Sequence, residues 1–215
     1  MTFIKICGLK NPETAKFCAD LGVSAIGCVF YKKSPRHVSV ETARTITRNV
    51  PETLLRVAVM VNPSVDEALA IAQSAGCNAI QLHGNESPET AFSLMKNGLQ
   101  VIKAFYVEGL PSIASAKAFS GAISLVEAAS GKLPGGNAAT WDWSSARRFS
   151  KTSSLILAGG LSPENILQAL EDARPWGVDV SSGVESAPGI KDIEKIRHFI
   201  ETVQQFDLEK KEASP

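Results

Sequence analysis

The sequence lacks several features that mark secreted, metal-binding and membrane proteins. Its four cysteines, Cys7, Cys18, Cys28 and Cys77, include no Cys-x-x-Cys pair and no neighbouring histidine cluster, so they predict neither a disulfide framework nor a metal site. No segment approaches the roughly 20 apolar residues that a membrane helix needs, and the N-terminus has no signal-peptide pattern. These absences predict a protein of the reducing cytoplasm that uses no metal and does not bind membranes.

The chain also lacks an excess of charge of either sign. Its 22 basic and 22 acidic residues balance, which leaves no overall field to hold nucleic acid or an anionic membrane surface. We therefore expect a small-molecule partner, and any phosphate on it has to be held locally by backbone amides or a placed cation.

A length of 215 residues fits one domain. We expect a catalytic domain over 1–206 and a charged, disordered tail over 207–215.

Short apolar segments alternate with longer amphipathic ones along the chain, which is typical of parallel strands covered by helices. Eight strand–helix pairs in about 200 residues leave roughly 25 residues per pair, which favours a closed (β/α)8 TIM barrel of the α/β class. Helix starts with Asn or Ser before Pro, at Asn11, Ser87 and Ser162, support this periodicity, and a further short helix is predicted over 110–119. The predicted strands are 3–6, 25–30, 55–61, 79–82, 101–105, 122–126, 155–158 and 178–180.

Two glycine-containing segments follow the last two predicted strands. In such barrels the active site lies at the C-terminal ends of the strands, and phosphate is commonly bound after strands seven and eight. Ala158-Gly159-Gly160 follows strand seven, and Ser181-Ser182-Gly183 follows strand eight. Glycine lets backbone N–H groups approach an anion without a Cβ in the way. Either segment alone is also explained by a tight turn, whereas both together predict a phosphate site at Gly159, Gly160, Ser182 and Gly183.

Three reactive side chains stand in or at the ends of predicted strands. Cys7 precedes Gly8 at the end of strand one, and its thiolate can act as a base if local dipoles lower its pKa; the alternative is a buried, unreactive thiol. Asp179 lies within the apolar strand eight, where an unpaired carboxylate is costly, so it has either a structural partner or a catalytic role. Glu127 ends strand six and can act as a general acid.

Three further residues are candidates for substrate binding. Arg36 lies in the loop after strand two, and its planar guanidinium suits a substrate carboxylate; a solvated loop arginine is the alternative. Lys5 alternates with apolar neighbours, so it can point into the barrel and pair with Asp179. His83 is more typical of a hydrogen-bonded structural residue than of a catalyst, and we count it with Lys5 and Arg36 as substrate-binding.

The segments that carry these residues form an ordered set over nearly the whole chain. They are Lys5-Ile6-Cys7-Gly8-Leu9, Ser34-Pro35-Arg36, Gln81-Leu82-His83-Gly84, Ala158-Gly159-Gly160-Leu161, the run Gly177-Val178-Asp179-Val180-Ser181-Ser182-Gly183-Val184-Glu185, and Pro188-Gly189-Ile190-Lys191-Asp192. In this order they resemble the phosphoribosylanthranilate isomerase family. No single motif decides the resemblance, but the ordered set is specific.

The resemblance implies an isomerase of tryptophan biosynthesis that needs no cofactor. Its reaction is the Amadori rearrangement of N-(5-phospho-β-D-ribosyl)anthranilate to 1-(2-carboxyphenylamino)-1-deoxy-D-ribulose 5-phosphate. A carboxylic acid protonates the furanose ring oxygen, and a Cys thiolate then removes the C2 proton. The matching motifs imply that Cys7 is the base, that Arg36 contacts the anthranilate carboxylate, that Asp179 assists, and that Gly160 and Ser182-Gly183 hold the phosphate.

Two places depart from the family's pattern. Strand six usually ends Leu-Leu-Asp, with the Asp as general acid, whereas this chain has Leu125-Val126-Glu127 and thus an acid longer by one methylene. In the following loop Ala138 replaces a glycine and Trp141 replaces a phenylalanine. Because a misplacement of about 1 Å can cost on the order of 10²-fold in rate, the backbone has to shift or activity has to fall.

Two other interpretations stay open at this point. A dual-specificity isomerase that also serves histidine biosynthesis would need a second phosphate site on the opposite side of the barrel. A barrel that has lost the alignment of its acid would bind a phosphosugar without turnover. The sequence does not determine the oligomeric state; a monomer is favoured.

Overall fold

Eight parallel strands close into a barrel in the order of the sequence, with β8 pairing back onto β1. The computed structural model describes residues 1–129, 141–150 and 154–212. The predicted (β/α)8 TIM barrel is confirmed. The strands are β1 (Phe3–Cys7), β2 (Ala25–Val29), β3 (Leu55–Met60), β4 (Ala79–Leu82), β5 (Gln100–Glu108), β6 (Ile123–Ala129), β7 (Leu155–Leu157) and β8 (Gly177–Val180).

Helices cover the outside of this barrel. The α-helices are α1 (Pro12–Asp20), α2 (Val40–Arg48), α3 (Val65–Ala75), α4 (Pro88–Lys96), α5 (Arg147–Ser150), α6 (Ile166–Ala173) and α7 (Ile193–Glu212). Short 3₁₀ helices span Ile113–Ala118, Trp143–Ala146 and Ser182–Val184, and a small antiparallel pair joins β9 (Glu185–Ala187) to β10 (Ile190–Lys191). No helix within the described ranges is long and apolar enough to cross a membrane.

Two of the three predicted helix starts are confirmed. The side chains of Asn11 and Ser87 accept hydrogen bonds from the backbone amides of Thr14 and Thr90 at the starts of α1 and α4. The third prediction is wrong, because α6 begins at Ile166 rather than after Ser162. The Asn165 side chain accepts from the Ser162 amide at 2.8 Å and donates to the Gly160 carbonyl at 2.8 Å, which holds this segment as a turn.

The C-terminal segment differs from the predicted disordered tail. Helix α7 continues to Glu212, and the carboxylate of Asp207 accepts hydrogen bonds from the backbone amide and the hydroxyl of Thr2. A partner distant in sequence thus anchors a helical stretch whose own composition has little apolar character. Residues 213–215 lie outside the described residues, so this correction concerns 207–212.

Strand side chains alternate between the barrel interior and the layer beneath the helices. Interior positions include Cys7, Ala104 and Ile156, whereas Ile6, Phe105 and Val178 pack under the helices. The same alternation places Lys5 of β1 and Asp179 of β8 inside, where they are paired in register. A few polar side chains therefore lie inside an otherwise apolar barrel, toward the C-terminal ends of the strands.

Candidate active site

A cavity at the C-terminal ends of the strands contains most of the predicted site residues. One part is lined by Cys7, Arg36 and His83, among others, and an adjoining part is lined by Gly159, Gly160 and Ser182. The two parts share Glu127, Asp179 and Ser181 as lining residues, so they form one continuous site. Lys5 and Gly183 are not among these lining residues: Lys5 is fully buried, and Gly183 directly follows the lining residue Ser182.

Lys5 and Asp179 form a buried ion pair, as predicted, with 2.8 Å between Lys5 Nζ and Asp179 Oδ1. Burial lowers the pKa of the Lys5 ammonium, but attraction to Asp179 and to the Cys7 thiol outweighs burial, and the pKa lies above its ordinary value. Lys5 is 0% exposed. The structure thus places it beneath the cavity as a charged neighbour of Asp179 and Cys7, and not on the surface that a substrate touches.

The Cys7 thiol lies at the cavity surface and is 7% exposed. Burial raises its pKa, while the Lys5 ammonium acts in the opposite direction without cancelling the effect. In the free site the pKa is therefore not lowered, because loss of water around the thiolate outweighs the attraction to Lys5. A Cβ at Gly27 of β2 would lie 3.0 Å from Cys7 Sγ, so glycine there leaves room for the thiol.

The other three cysteines lie away from the cavity. Cys18, Cys28 and Cys77 pack between the barrel and its helices. Burial raises the pKa of Cys18 and of Cys77 to about 12, and it raises that of Cys28 as well. All four cysteines are free and buried, but Cys7 is the one that lines the cavity, which makes it the candidate for chemistry.

Arg36 is held by a buried carboxylate. Its Nε and Nη2 atoms donate to the two oxygens of Glu185 at 2.7 and 2.8 Å, and Lys191 Nζ approaches the same carboxylate at 2.9 Å. Burial opposes ionisation of Glu185, yet Arg36 and Lys191 together hold its pKa below the ordinary value. A Cβ at Gly8 would lie 2.6 Å from Arg36 Cδ. Arg36 is only 8% exposed, so the alternative of a solvated loop arginine is wrong.

Glu127 points into the barrel from β6 and lies 3.6 Å from His83, measured between Glu127 Oε2 and His83 Nε2. The other ring nitrogen of His83, Nδ1, is 2.8 Å from the side-chain amide of Gln81. The ring of Tyr106, which is paired with Glu127 in register, lies 6.5 Å from the His83 ring. The carboxylic acid of the site is therefore surrounded by buried groups with hydrogen-bonding capacity.

The loop that carries His83 is fixed by a second buried ion pair. Lys103 Nζ lies 3.1 Å from Glu86 Oε2 and donates to the Gly84 carbonyl at 2.7 Å. The Glu86 carboxylate accepts from the backbone amides of Asn62 and Gly84 at 2.8 and 3.0 Å. In addition, the Asn62 side chain accepts from the Asn85 amide. The amides at the ends of β3 and β4 are thus occupied by the protein's own acceptors.

The glycines after β7 and β8 form an open backbone surface. Gly159 and Gly160 have φ values of 82° and 70°, a region that favours glycine. A Cβ at Gly183 would lie 1.9 Å from the Leu161 carbonyl oxygen, so the two loops approach each other only because this position is glycine. Within the described ranges, the amides of Gly160, Ser182 and Gly183 donate to no other protein group, which leaves them available to an anion.

The altered loop after β6 is described only in part. Residues 130–140, which include Ala138, lie outside the described residues. Trp141, at the end of this loop, donates from its indole Nε1 to the Ala158 carbonyl at 3.1 Å. This bond, which a phenylalanine cannot make, ties the loop to the end of β7 beside Gly159.

Sequence reasoning missed several residues that support the site. Glu185 and Lys191 hold Arg36, and Glu86 with Lys103 holds the β4 loop. Lys103 carried a usable signal, because it is an ionisable residue within the apolar strand β5, the pattern that identified Asp179. Glu185 and Glu86 carried none, since both lie in polar loop segments where an unpaired carboxylate is ordinary.

Comparisons with known proteins agree with this geometry. The family model for N-(5'phosphoribosyl)anthranilate (PRA) isomerase matches residues 4–202. An N-(5'-phosphoribosyl)anthranilate isomerase of Desulfatibacillum aliphaticivorans is 45% identical over 206 residues, which cover 96% of this chain and 94% of that protein.

Solved structures give the same result. The phosphoribosyl anthranilate isomerase of Thermotoga maritima has a TM-score of 0.87 and 37% identity, over 95% of this chain and 100% of that one. A phosphoribosyl anthranilate isomerase in complex with reduced 1-(o-carboxyphenylamino)-1-deoxyribulose 5-phosphate has a TM-score of 0.84 and 36% identity, with the same coverage. Another structure of the Thermotoga enzyme is of monomers generated from its dimeric form. The chain therefore belongs to the N-(5'-phosphoribosyl)anthranilate isomerase family.

Proposed function

We propose that this cavity catalyses the Amadori rearrangement of N-(5-phospho-β-D-ribosyl)anthranilate to 1-(2-carboxyphenylamino)-1-deoxy-D-ribulose 5-phosphate, a step of tryptophan biosynthesis. The observation that carries this proposal is one continuous cavity that combines a thiol, a carboxylic acid and free glycine amides, at Cys7, Glu127 and Gly160. A base, an acid and an anion site are the three elements that an aminoaldose phosphate isomerase requires.

In this proposal Glu127 is the general acid and Cys7 the general base. Glu127 donates its proton to the furanose ring oxygen, which breaks the bond from C1 to that oxygen and leaves a Schiff base. The Cys7 thiolate then removes the C2 proton and forms an enolamine. The enol hydroxyl loses its proton to the Glu127 carboxylate, and C1 gains the proton from Cys7, so both groups return to their initial states. No electrons leave the substrate, so the step needs no redox cofactor.

Lys5 and Asp179 support the thiolate in this scheme. The Lys5 ammonium lies beneath Cys7 and lowers the pKa of the thiol against the effect of burial. Asp179 fixes Lys5 at 2.8 Å and lines the cavity itself, where it can contact the sugar hydroxyls. We therefore propose a substrate-orienting role for Asp179 and an electrostatic role for Lys5.

The remaining predicted residues bind the two ends of the substrate. Glu185 engages the Nε and Nη2 edge of Arg36, so we propose that the remaining guanidinium nitrogen of Arg36 meets the anthranilate carboxylate. The amides of Gly160, Ser182 and Gly183 hold the phosphate, with Gly159 providing the turn. Because these donors are backbone groups, phosphate binding depends on the path of the two loops.

The barrel offers an anion site at one end of the cavity only, among the residues that the structure describes. The amides after β3 and β4, which lie opposite β7 and β8 in the barrel order, already bond Glu86 and Asn62. A second substrate phosphate would have to displace a buried carboxylate that is paired with Lys103. We therefore propose a single-phosphate substrate, and this disfavours a dual role in histidine biosynthesis.

Turnover of phosphoribosylanthranilate by the Cys7→Ala variant tests the proposal. Loss of a general base typically costs 10²–10⁴-fold, so kcat should fall by about 10³-fold, as measured by loss of substrate fluorescence. Cys18→Ala removes a buried thiol away from the cavity and is the matched control; it should retain near wild-type kcat. Wild-type turnover in Cys7→Ala, or an inactive wild type, would contradict the proposed function.

We also propose a cellular compartment and an oligomeric state for the enzyme. Four free thiols fit the reducing cytoplasm, where we place the protein. A single barrel carries the thiol, the carboxylic acid and the free amides of the cavity, so we propose that the monomer, with its catalytic domain extending through α7, is sufficient for activity. Sedimentation combined with an activity assay across a dilution series checks this: specific activity should not fall as the protein is diluted.

A further inference from the structure

The hydrogen bond between Gln81 and His83 determines which ring nitrogen of His83 carries a proton. Gln81 Nε2, an amide nitrogen that can only donate, lies 2.8 Å from His83 Nδ1. With the amide in this orientation His83 Nδ1 accepts, and in the neutral imidazole the hydrogen is then on Nε2. Both side chains are buried.

The Nε2 atom of His83 has no hydrogen-bond partner within the described residues, although it is buried. A buried polar atom without a partner costs free energy and needs an explanation. The carboxyl group of Glu127 lies nearby, with 3.6 Å between His83 Nε2 and Glu127 Oε2. Hydrogen bonds between catalytic groups are often long in a site without substrate and shorten in the reacting complex.

We propose that His83 is the positioning residue for the general acid: its Nε2–H donates a hydrogen bond to the carboxylate that forms when Glu127 gives its proton to the substrate. The bond is strongest when Glu127 is negatively charged, so it stabilises the transition state for ring opening more than the ground state. Gln81 contributes indirectly, because its hydrogen bond to His83 Nδ1 keeps the ring hydrogen on Nε2. This inference rests on the proposed role of Glu127 as acid.

The length of the acid supports the inference. An aspartate at position 127 would hold its carboxylate closer to β6 by one methylene, and therefore farther from His83 on β4's loop. The glutamate spans this gap. His83 thus provides a fixed partner for a longer and more flexible acid, which would otherwise lose side-chain entropy each time it adopted the reacting geometry.

A double-mutant cycle on kcat tests this coupling. Hydrogen bonds to charged groups correspond to roughly 10- to 100-fold, so His83→Ala should lower kcat by at least about 10-fold while KM changes less than about 3-fold. In a Glu127→Asp background the same substitution should lower kcat by less than about 2-fold, because the shorter carboxylate no longer reaches the ring. His83→Gln, which keeps an N–H donor, should recover part of kcat.

Two observations would overturn the inference. One is an equal effect of His83→Ala in both backgrounds; the other is a rise in KM with unchanged kcat, which would make His83 a substrate-binding residue instead. His198→Ala, at an exposed position on α7, is the control and should match the wild type. If Glu127→Gln were fully active, the proposed function would fail as well, whereas an inactive Glu127→Gln without coupling to His83 would remove only this inference.

A spectroscopic measurement keeps the test valid if His83→Ala does not fold. The chain has three histidines, so ¹⁵N resonances of the imidazoles in the wild-type protein can be assigned by single substitutions at His37 and His198. We expect His83 to be neutral with its hydrogen on Nε2. A hydrogen on Nδ1 would show that Gln81 accepts rather than donates, and would contradict the proposed donation to Glu127.

Discussion

The two parts of the cavity are built from different groups. In the reaction half, Cys7, Glu127 and Asp179 are side chains that project inward from strands, and Asp179 is paired with the buried Lys5 ammonium. In the phosphate half, Gly160 and Ser182 offer backbone amides on loops that follow the strands. The difference matters because a side chain can be exchanged without moving the backbone, whereas a backbone donor cannot be removed without changing the path of the chain.

This difference separates the effects expected on catalysis and on binding. A side chain of the reaction half acts on groups that change charge during the reaction, so its removal should lower kcat. A backbone donor of the phosphate half binds a group that stays the same in substrate and transition state, so its displacement should raise KM.

Replacing Glu127 by Gln should produce the largest change among these. The amide cannot donate a proton to the furanose oxygen, so kcat should fall by about 10³-fold, within the 10²- to 10⁴-fold range for loss of a general acid. Affinity for inorganic phosphate, measured by calorimetry, should stay within about 2-fold. Glu108→Gln at the exposed end of β5 is the control. A loss of phosphate affinity as large as the loss of kcat would show that the halves are not separable.

Replacing Gly183 by Ala should affect the other half. Its Cβ would lie 1.9 Å from the Leu161 carbonyl oxygen, so the two phosphate-binding loops must move apart. A displacement of about 1 Å can cost on the order of 10²-fold, and we expect KM and the Kd for phosphate to rise by that factor while kcat falls less. Ser182→Ala leaves the backbone in place and should change KM only a few-fold. Equal effects of the two substitutions would contradict a backbone-built site.

The pH dependence of kcat/KM should be the mildest of the three tests. The active state has a Cys7 thiolate and a protonated Glu127, so the two groups together hold one proton. Further increase in pH does not change this number of bound protons until the thiol titrates. Because burial raises the pKa of Cys7 above its ordinary value, the decline of kcat/KM at high pH should begin above the pH at which an ordinary cysteine titrates. An alkaline decline that begins near pH 7 would contradict the assignment of Cys7 as the base.

The Lys5→Met variant tests the cause of that pH profile. The Lys5 ammonium lowers the pKa of the Cys7 thiol, so removing the ammonium should move the alkaline decline to still higher pH. Lys16→Met removes an exposed lysine of α1 that pairs with Asp20 and should leave the profile unchanged. Circular dichroism confirms folding of both variants before the profiles are compared.

Much of the fold was predictable because barrel strands have a strong local signature. Each is a short apolar run, and the residue after the run lies at the mouth of the barrel, which was enough to place Cys7, Glu127 and Gly160 in one site. The failed predictions depend on partners distant in sequence. Helix α7 continues past Asp207 because Thr2 binds it, and the Ser162 start is replaced by a turn because Asn165 bonds Gly160.

The barrel, the glycine loops and the candidate acid and base could therefore be inferred from the sequence, since all of these follow from residue type and position along a strand. The electrostatics of the site follow only from its three-dimensional packing. Whether the Cys7 thiol is made more or less acidic depends on the balance between burial and Lys5. Whether Arg36 is solvated depends on Glu185, 149 residues away. Such balances arise from distances and from exclusion of water, and neither is encoded in a local pattern of residues.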